Sequence, residues 1–167
     1  MKVLGARPIW LDFCEHQYLA RGQQITAGQL APALYEALSQ SHATAVFIPM
    51  GLANPDHATL HDAAMIVRSQ LTTLAWFAYE DAGYCHLPGL LAWRVAKLFR
   101  SGLWPTPAMV PRCPDATRKR AAIECYASQL APLRAEQDLA ARLDACAPEQ
   151  YWRLSAPPKG WEGLIDI

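Results

Sequence analysis

The segment Ala43-Thr44-Ala45-Val46-Phe47-Ile48-Pro49, running through Met50-Gly51-Leu52-Ala53-Asn54-Pro55-Asp56 to His57, decides the fold. Its first half is a continuous apolar run without alternation. A strand covered on both faces reads this way, and such strands belong to parallel sheets. Its second half gathers Gly, Asn, Pro and Asp, the residues that make turns and open helices. From His57 to Leu71, Leu60, Ala64, Val67 and Leu71 then recur at helical spacing. The segment is a strand, a loop and the start of a helix.

Working outward, the same alternation extends in both directions. Upstream, Pro8–Phe13 is short and rich in β formers and predicts a strand. Thr26-Ala27-Gly28-Gln29 offers a capping box, and Leu30, Leu34, Tyr35 and Leu38 continue a helix with Pro32 placed in its first turn. Downstream, Leu74–Ala78 predicts a strand, and Leu87–Phe99 a helix opening with Pro88. Trp104–Val110 reads as a proline-interrupted edge strand. Asp115 caps a helix to Leu130, a further helix runs from Pro132 to about Cys146, and the tail from Ala156 to Ile167 has no periodicity. Alternating strands and helices imply an α/β fold, a Rossmann-like three-layer sandwich with a mainly parallel sheet. With no repeats and no interior linker, residues 1–167 read as one domain.

Composition narrows the function. The formal net charge is zero and the densest basic run is Arg118-Lys119-Arg120, a solvated helix face rather than a nucleic-acid surface. Five cysteines (Cys14, Cys85, Cys113, Cys125 and Cys146) lie without a CxxC pair, so reduced, mostly buried thiols and a cytoplasmic location are expected. Arg7, Pro8 and Asp12 interrupt the N-terminal region, and neither a signal peptide nor a membrane span is predicted.

In open α/β sheets, ligands bind beyond the carboxyl ends of strands, which points to the loop Met50–Asp56. It carries Asn54, Pro55, Asp56 and His57, with His61 and Asp62 one turn later. His57 and His61 share one helix face at i, i+4 and could grip one metal together, although no Glu follows His57 as in HExxH. In the other reading Asp56 is an N-cap, His57 a first-turn residue, and His61 a surface or core histidine bonded to backbone. Local sequence leaves both open.

The stretch Val46–His57 followed by His61-Asp62-Ala63-Ala64 resembles the second motif of the PIG-L/LmbE family of zinc-dependent N-deacetylases: an apolar strand, a proline, then His-Pro-Asp-His or His-Ser-Asp-His, then a helix. Four further stretches are similar to family features in the same order along the chain. Leu4-Gly5-Ala6 leading into Trp10-Leu11-Asp12-Phe13 looks like the entry to the family's middle portion. Trp76-Phe77-Ala78-Tyr79-Glu80-Asp81 with Tyr84 looks like its next strand and aromatic-acidic loop, Lys119–Gln129 like its late helix ending in Ser128-Gln129, and Glu149-Gln150-Tyr151-Trp152 like its acidic-aromatic step.

The resemblance implies a zinc held by His and carboxylate ligands, whose bound water a carboxylate deprotonates for attack on an N-acetyl group. It assigns His57 as a metal ligand and Asp56 to the catalytic machinery, orienting a histidine or contacting substrate, with a structural N-cap as the alternative. Asn54, Tyr79, Glu80, Asp81 and Tyr84 would bind an amino-sugar-type small molecule or glycoconjugate. Ser128 and Gln129 would close a helix.

Two departures temper these expectations. The family's first motif, Ala-His-Pro-Asp-Asp-Glu, has no counterpart here, so the first strand–helix unit and two zinc ligands are expected to be absent. Asn54 stands where the family has a histidine. The chain alone is therefore expected to hold zinc weakly and to have little or no deacetylase activity. The alternative is a non-catalytic sugar-binding or assembly module. An uncovered sheet edge would invite a homo-oligomer or a partner chain.

Overall fold

A computed structural model describes residues 2–82, 84, 87–110, 116–127 and 149–161. The chain divides into two compact units, Met1–Trp10 with Val110–Glu149, and Leu11–Met109 with Gln150–Ile167. The smaller holds a 3-10 turn at Lys2–Leu4 and the helix α4, Ala116–Glu124. In it Lys119 Nζ lies 2.9 Å from Glu149 Oε1, while Arg118 and Arg120 are exposed, as a solvated face requires.

The larger unit contains α1 (Ala27–Ser39), β1 (Ala45–Pro49), α2 (Pro55–Arg68), β2 (Ala75–Tyr79), α3 (Leu90–Arg100), β3 (Trp104–Ala108) and β4 (Tyr151–Ser155). The expected capping box opens α1: Thr26 accepts from Gln29 N, and the Gln29 side chain reaches back to the Thr26 N–H. Pro32 lies in the helix interior rather than its first turn, on the exposed side, so the backbone bond it forfeits faces water. A second adjustment concerns α3, which begins after Pro88, at Leu90, with Gly89 as its N-cap in a left-handed conformation (φ 76°) that side chains resist.

The four strands run in the order β1-β2-β4-β3. β1 and β2 are parallel, with Val46 opposite Trp76 and Ile48 opposite Ala78. β4 is antiparallel to both β2 and β3. The sheet is thus mixed, with one parallel pair and two antiparallel pairs, and the expectation of a mainly parallel sheet is corrected. The cause is β4, which forms at residues for which the sequence predicts neither helix nor strand. Its Tyr-Trp-Arg-Leu-Ser alternates in facing, with Leu154 buried and Arg153 exposed, a five-residue signal too short to weigh against the surrounding prolines.

The core gathers on one face of this sheet. Val46, Ile48, Trp76, Ala78 and Leu154 meet Ala31 of α1, Ala63, Ala64 and Val67 of α2, and Leu98 of α3. Each large apolar side chain buried here contributes about 1.5–3 kcal/mol. On the opposite face Phe47 is 45 % exposed, stacked on Phe77 at 4.9 Å with Tyr151 edge-on. β1 is therefore a terminal strand open on one face rather than one covered on both, and a three-layer arrangement is not seen in this unit among the described residues.

Three more expectations are corrected. No strand forms at residues 8–13, where Trp10 is 85 % exposed and Phe13 folds back on Leu11 in a tight turn. Strand formers without a neighbouring strand have nothing to pair with. Cys14 and Cys125 are exposed rather than buried. α4 ends at Glu124 instead of reaching Leu130. The expected cap at Asp115, the helix from Pro132 to Cys146, the roles of Ser128 and Gln129, and Cys85, Cys113 and Cys146 lie outside the described residues.

At the β1–α2 junction Gly51 adopts φ 74°, and a Cβ there would stand 3.0 Å from both Ala58 Cα and Arg94 Nη2. Gly51→Ala is expected to destabilise the fold by about 2–4 kcal/mol, from the left-handed strain plus overpacking, read as a lower urea midpoint at unchanged m-value.

Candidate functional site

The end of β1 and the start of α2 are held by buried charged and polar side chains. Parallel pairing sets Pro49 beside Tyr79, so the residues that follow each strand emerge side by side. Met50 N continues the ladder by donating to Tyr79 O at 2.8 Å. Asp81, 2 % exposed, turns its carboxylate back across the gap. Its Oδ2 accepts from Gly51 N at 2.8 Å and Leu52 N at 3.0 Å. Its Oδ1 accepts from His57 Nδ1.

That last contact defines the imidazole. A carboxylate accepts only, so Nδ1 carries the proton and Nε2 of the neutral ring keeps a lone pair. The ring is 39 % exposed, which leaves Nε2 to face a ligand. A buried carboxylate on one ring nitrogen is the arrangement that fixes the tautomer and orientation of metal-bound and catalytic histidines.

Asn54, not Asp56, caps α2. Its side-chain oxygen accepts from Asp56 N at 2.8 Å and His57 N at 3.4 Å. Pro55 occupies the first helical position, where its missing N–H costs nothing. Asp56 turns outward instead, and its two oxygens accept from His16 N at 3.1 and 3.2 Å, fixing the 3-10 turn His16–Tyr18. The histidine near Asp56 is therefore oriented by Asp81, and Asp56 anchors a backbone.

Among the other residues singled out in sequence, Glu80 Oε1 accepts from Trp152 Nε1 at 2.8 Å. Tyr84 is partly buried against the core, its N–H bonded to Asp81 O at 3.0 Å. Tyr79 ends β2 between Pro49 and Tyr151. Asn54, His57, Asp81 and Tyr84 thus gather at the junction, while Glu80 braces β4.

One buried group went unnoticed in sequence. Arg94, 2 % exposed, donates from Nε to Met50 O at 2.7 Å and lies 3.6 Å from Asp62. Its sequence signal is an arginine on the Leu91–Leu98 face of α3. His61, 1 % exposed, donates from Nδ1 to Pro49 O at 2.8 Å, the backbone-bonded arrangement of the second sequence reading. Desolvation, then the neighbouring Arg94 charge, lowers its pKa from 6.5 to about 4. Among the described residues, no group of three or more His, Cys, Asp or Glu could hold a metal ion.

No protein-family model matches the chain, and no curated protein does. Three solved structures resemble it in fold. A triple mutant of the deacetylase Orf2 in the teicoplanin biosynthetic pathway has TM-score 0.59 and 22 % identity over 80 % of this chain and 59 % of that one. The zinc-inhibited form of teicoplanin deacetylase Orf2 gives 0.59 and 20 % over 85 % and 61 %. A deacetylase–bog complex from teicoplanin biosynthesis gives 0.59 and 21 % over 80 % and 54 %. The chain spans less than two thirds of each, and the likeness is one of fold: this is a deacetylase-like α/β architecture.

Because His61 is neutral when folded but protonates at its ordinary pKa when unfolded, its contribution is intact above pH 6.5. It is lost as pH falls from 6.5 toward 4, up to about 3 kcal/mol. His61→Gln is expected to flatten the stability–pH curve across that window, measured by urea denaturation in a pH series.

Proposed function

We propose that this chain is a deacetylase-type module presenting His57 as the metal-binding imidazole of a site for the N-acyl group of an amino-sugar glycoconjugate, and that it is catalytically silent without further ligands. One observation carries the reading: the buried Asp81 carboxylate fixes His57 Nδ1–H and leaves Nε2 free on a half-exposed ring. The deacetylase-like fold supports it.

The described residues do not fit a catalytic zinc centre. Such a centre takes three protein ligands with a fourth position open, and here His57 stands without two companions. No hydrolytic step is therefore derived through a metal. What these residues do by themselves is more limited. His57 Nε2 can accept a hydrogen bond, Asp81 holds the ring in orientation, and Asn54 spends its carbonyl on the helix cap rather than on a ligand. That use of Asn54 favours the second reading, a non-catalytic sugar-binding or assembly module.

Zinc titration with metal analysis tests the first reading. Weak zinc binding is expected, abolished by His57→Ala and weakened 10–100-fold by Asp81→Asn, with acetate release from an N-acetylglucosamine glycoside at background. Tight one-to-one zinc with acetate release would show a complete site. Affinity for N-acetyl sugars that survives both chelator and His57→Ala would favour the binding module instead.

A further inference from the structure

Arg94 of α3 is a buried charge, 2 % exposed, and a buried guanidinium is expensive unless its donors are filled. Its pairing with acid is poor. Asp62 Oδ1 stands 3.6 Å from Nη2 on a half-exposed side chain, and Nη2 makes no hydrogen bond among the described residues. What Arg94 does hold is a backbone oxygen: its Nε donates to Met50 O at 2.7 Å.

The other side of that peptide is held as well. The carbonyl of Met50 and the N–H of Gly51 belong to one peptide group, and Gly51 N donates to Asp81 Oδ2 at 2.8 Å. A single peptide is thus gripped at oxygen by a buried cation and at its N–H by a buried anion. Both bonds are charge-assisted, each roughly twice as strong as a neutral one. They also pull in the same sense along the peptide dipole, whose negative end is the carbonyl and positive end the N–H. Because the peptide is planar, fixing its carbonyl fixes the direction of its N–H. Gly51 supplies the left-handed turn (φ 74°), and Arg94 Nη2 fills the space beneath it, 3.0 Å from where a Cβ would stand.

The neighbouring clamp does not have this reach. His61 holds Pro49 O at 2.8 Å, but the N–H of that peptide, on Met50, goes to Tyr79 O in the strand ladder. The peptide held by Arg94 leads instead to Asp81, whose other oxygen accepts from His57 Nδ1. We propose that Arg94 is a positioning residue for His57. It orients the Met50–Gly51 peptide, the peptide orients the Asp81 carboxylate, and the carboxylate selects the Nδ1–H form of the ring. The plainer role, capping one buried carbonyl, would leave the imidazole indifferent to Arg94. The functional consequence rests on the role proposed for His57, whereas the linkage itself is measured on the protein without metal.

The test is ¹⁵N NMR of the histidine side chains of the full chain at about pH 8, above the ordinary histidine pKa. Wild-type His57 is expected as the Nδ1–H tautomer with Nε2 unprotonated. Arg94→Met keeps the bulk but removes donor and charge, and is expected to bring the Nε2–H tautomer into measurable population. It should also lower exchange protection of the Gly51 and Leu52 amides about 10–100-fold relative to amides of the central strand β2. Arg94→Lys returns a charged donor and should restore both, since one bond to Met50 O does not need the guanidinium fork. Should Arg94→Met fail to fold, wild-type exchange decides: Arg94 Nε–H and the Gly51 and Leu52 amides are expected to share one opening rate. An unchanged tautomer in Arg94→Met, protection lost equally along the chain, no restoration by Arg94→Lys, or Gly51 opening independently of Arg94 would overturn the linkage. Absent zinc binding in a wild type with the expected tautomer would sink the metal reading of His57 alone.

Discussion

One buried carboxylate organises the functional end of the larger unit. Asp81 accepts two backbone N–H groups from the loop after β1 and a third hydrogen bond from His57. A buried carboxylate is tolerated only when its oxygens are filled, because its desolvation otherwise costs several kcal/mol. Here the loop needs Asp81 as much as Asp81 needs the loop, since Gly51 and Leu52 are themselves buried and need acceptors. The position of His57 follows from that mutual requirement.

The same logic extends one layer deeper. His61 donates to Pro49 O and Arg94 to Met50 O, so successive residues of the junction are held by side chains from α2, α3 and the β2 exit. Gly51 is where this network closes most tightly, with Arg94 Nη2 and Ala58 Cα both 3.0 Å from where a Cβ would stand. Rigid support of this kind belongs under a group whose direction matters. It is a costly way to build an ordinary turn, and that cost is the physical reason to read the junction as a site.

The architecture departs from a doubly wound sheet at one place. β4 enters antiparallel between β2 and β3, and with α1, α2 and α3 all contributing to one core, the Phe47–Phe77–Tyr151 face stays partly open. β4 also brings Trp152 to Glu80.

The sequence by itself determined what depends on neighbours along the chain. The Thr26–Gln29 capping box, the apolar run of β1, the loop and the helix beginning near His57 are all local patterns, and each formed where its pattern lies. The isolated β formers of residues 8–13 show the limit of that logic, since a strand also needs a partner. Only the tertiary structure decided that Asn54 caps the helix while Asp56 turns to His16, and that Asp81, 24 residues away, holds His57. It also brought Arg94 to Met50 across 44 residues. These contacts exist only once β1 and β2 lie in register and α3 packs against them. Period and composition report which residues are apolar, but not which buried charge will find which backbone group.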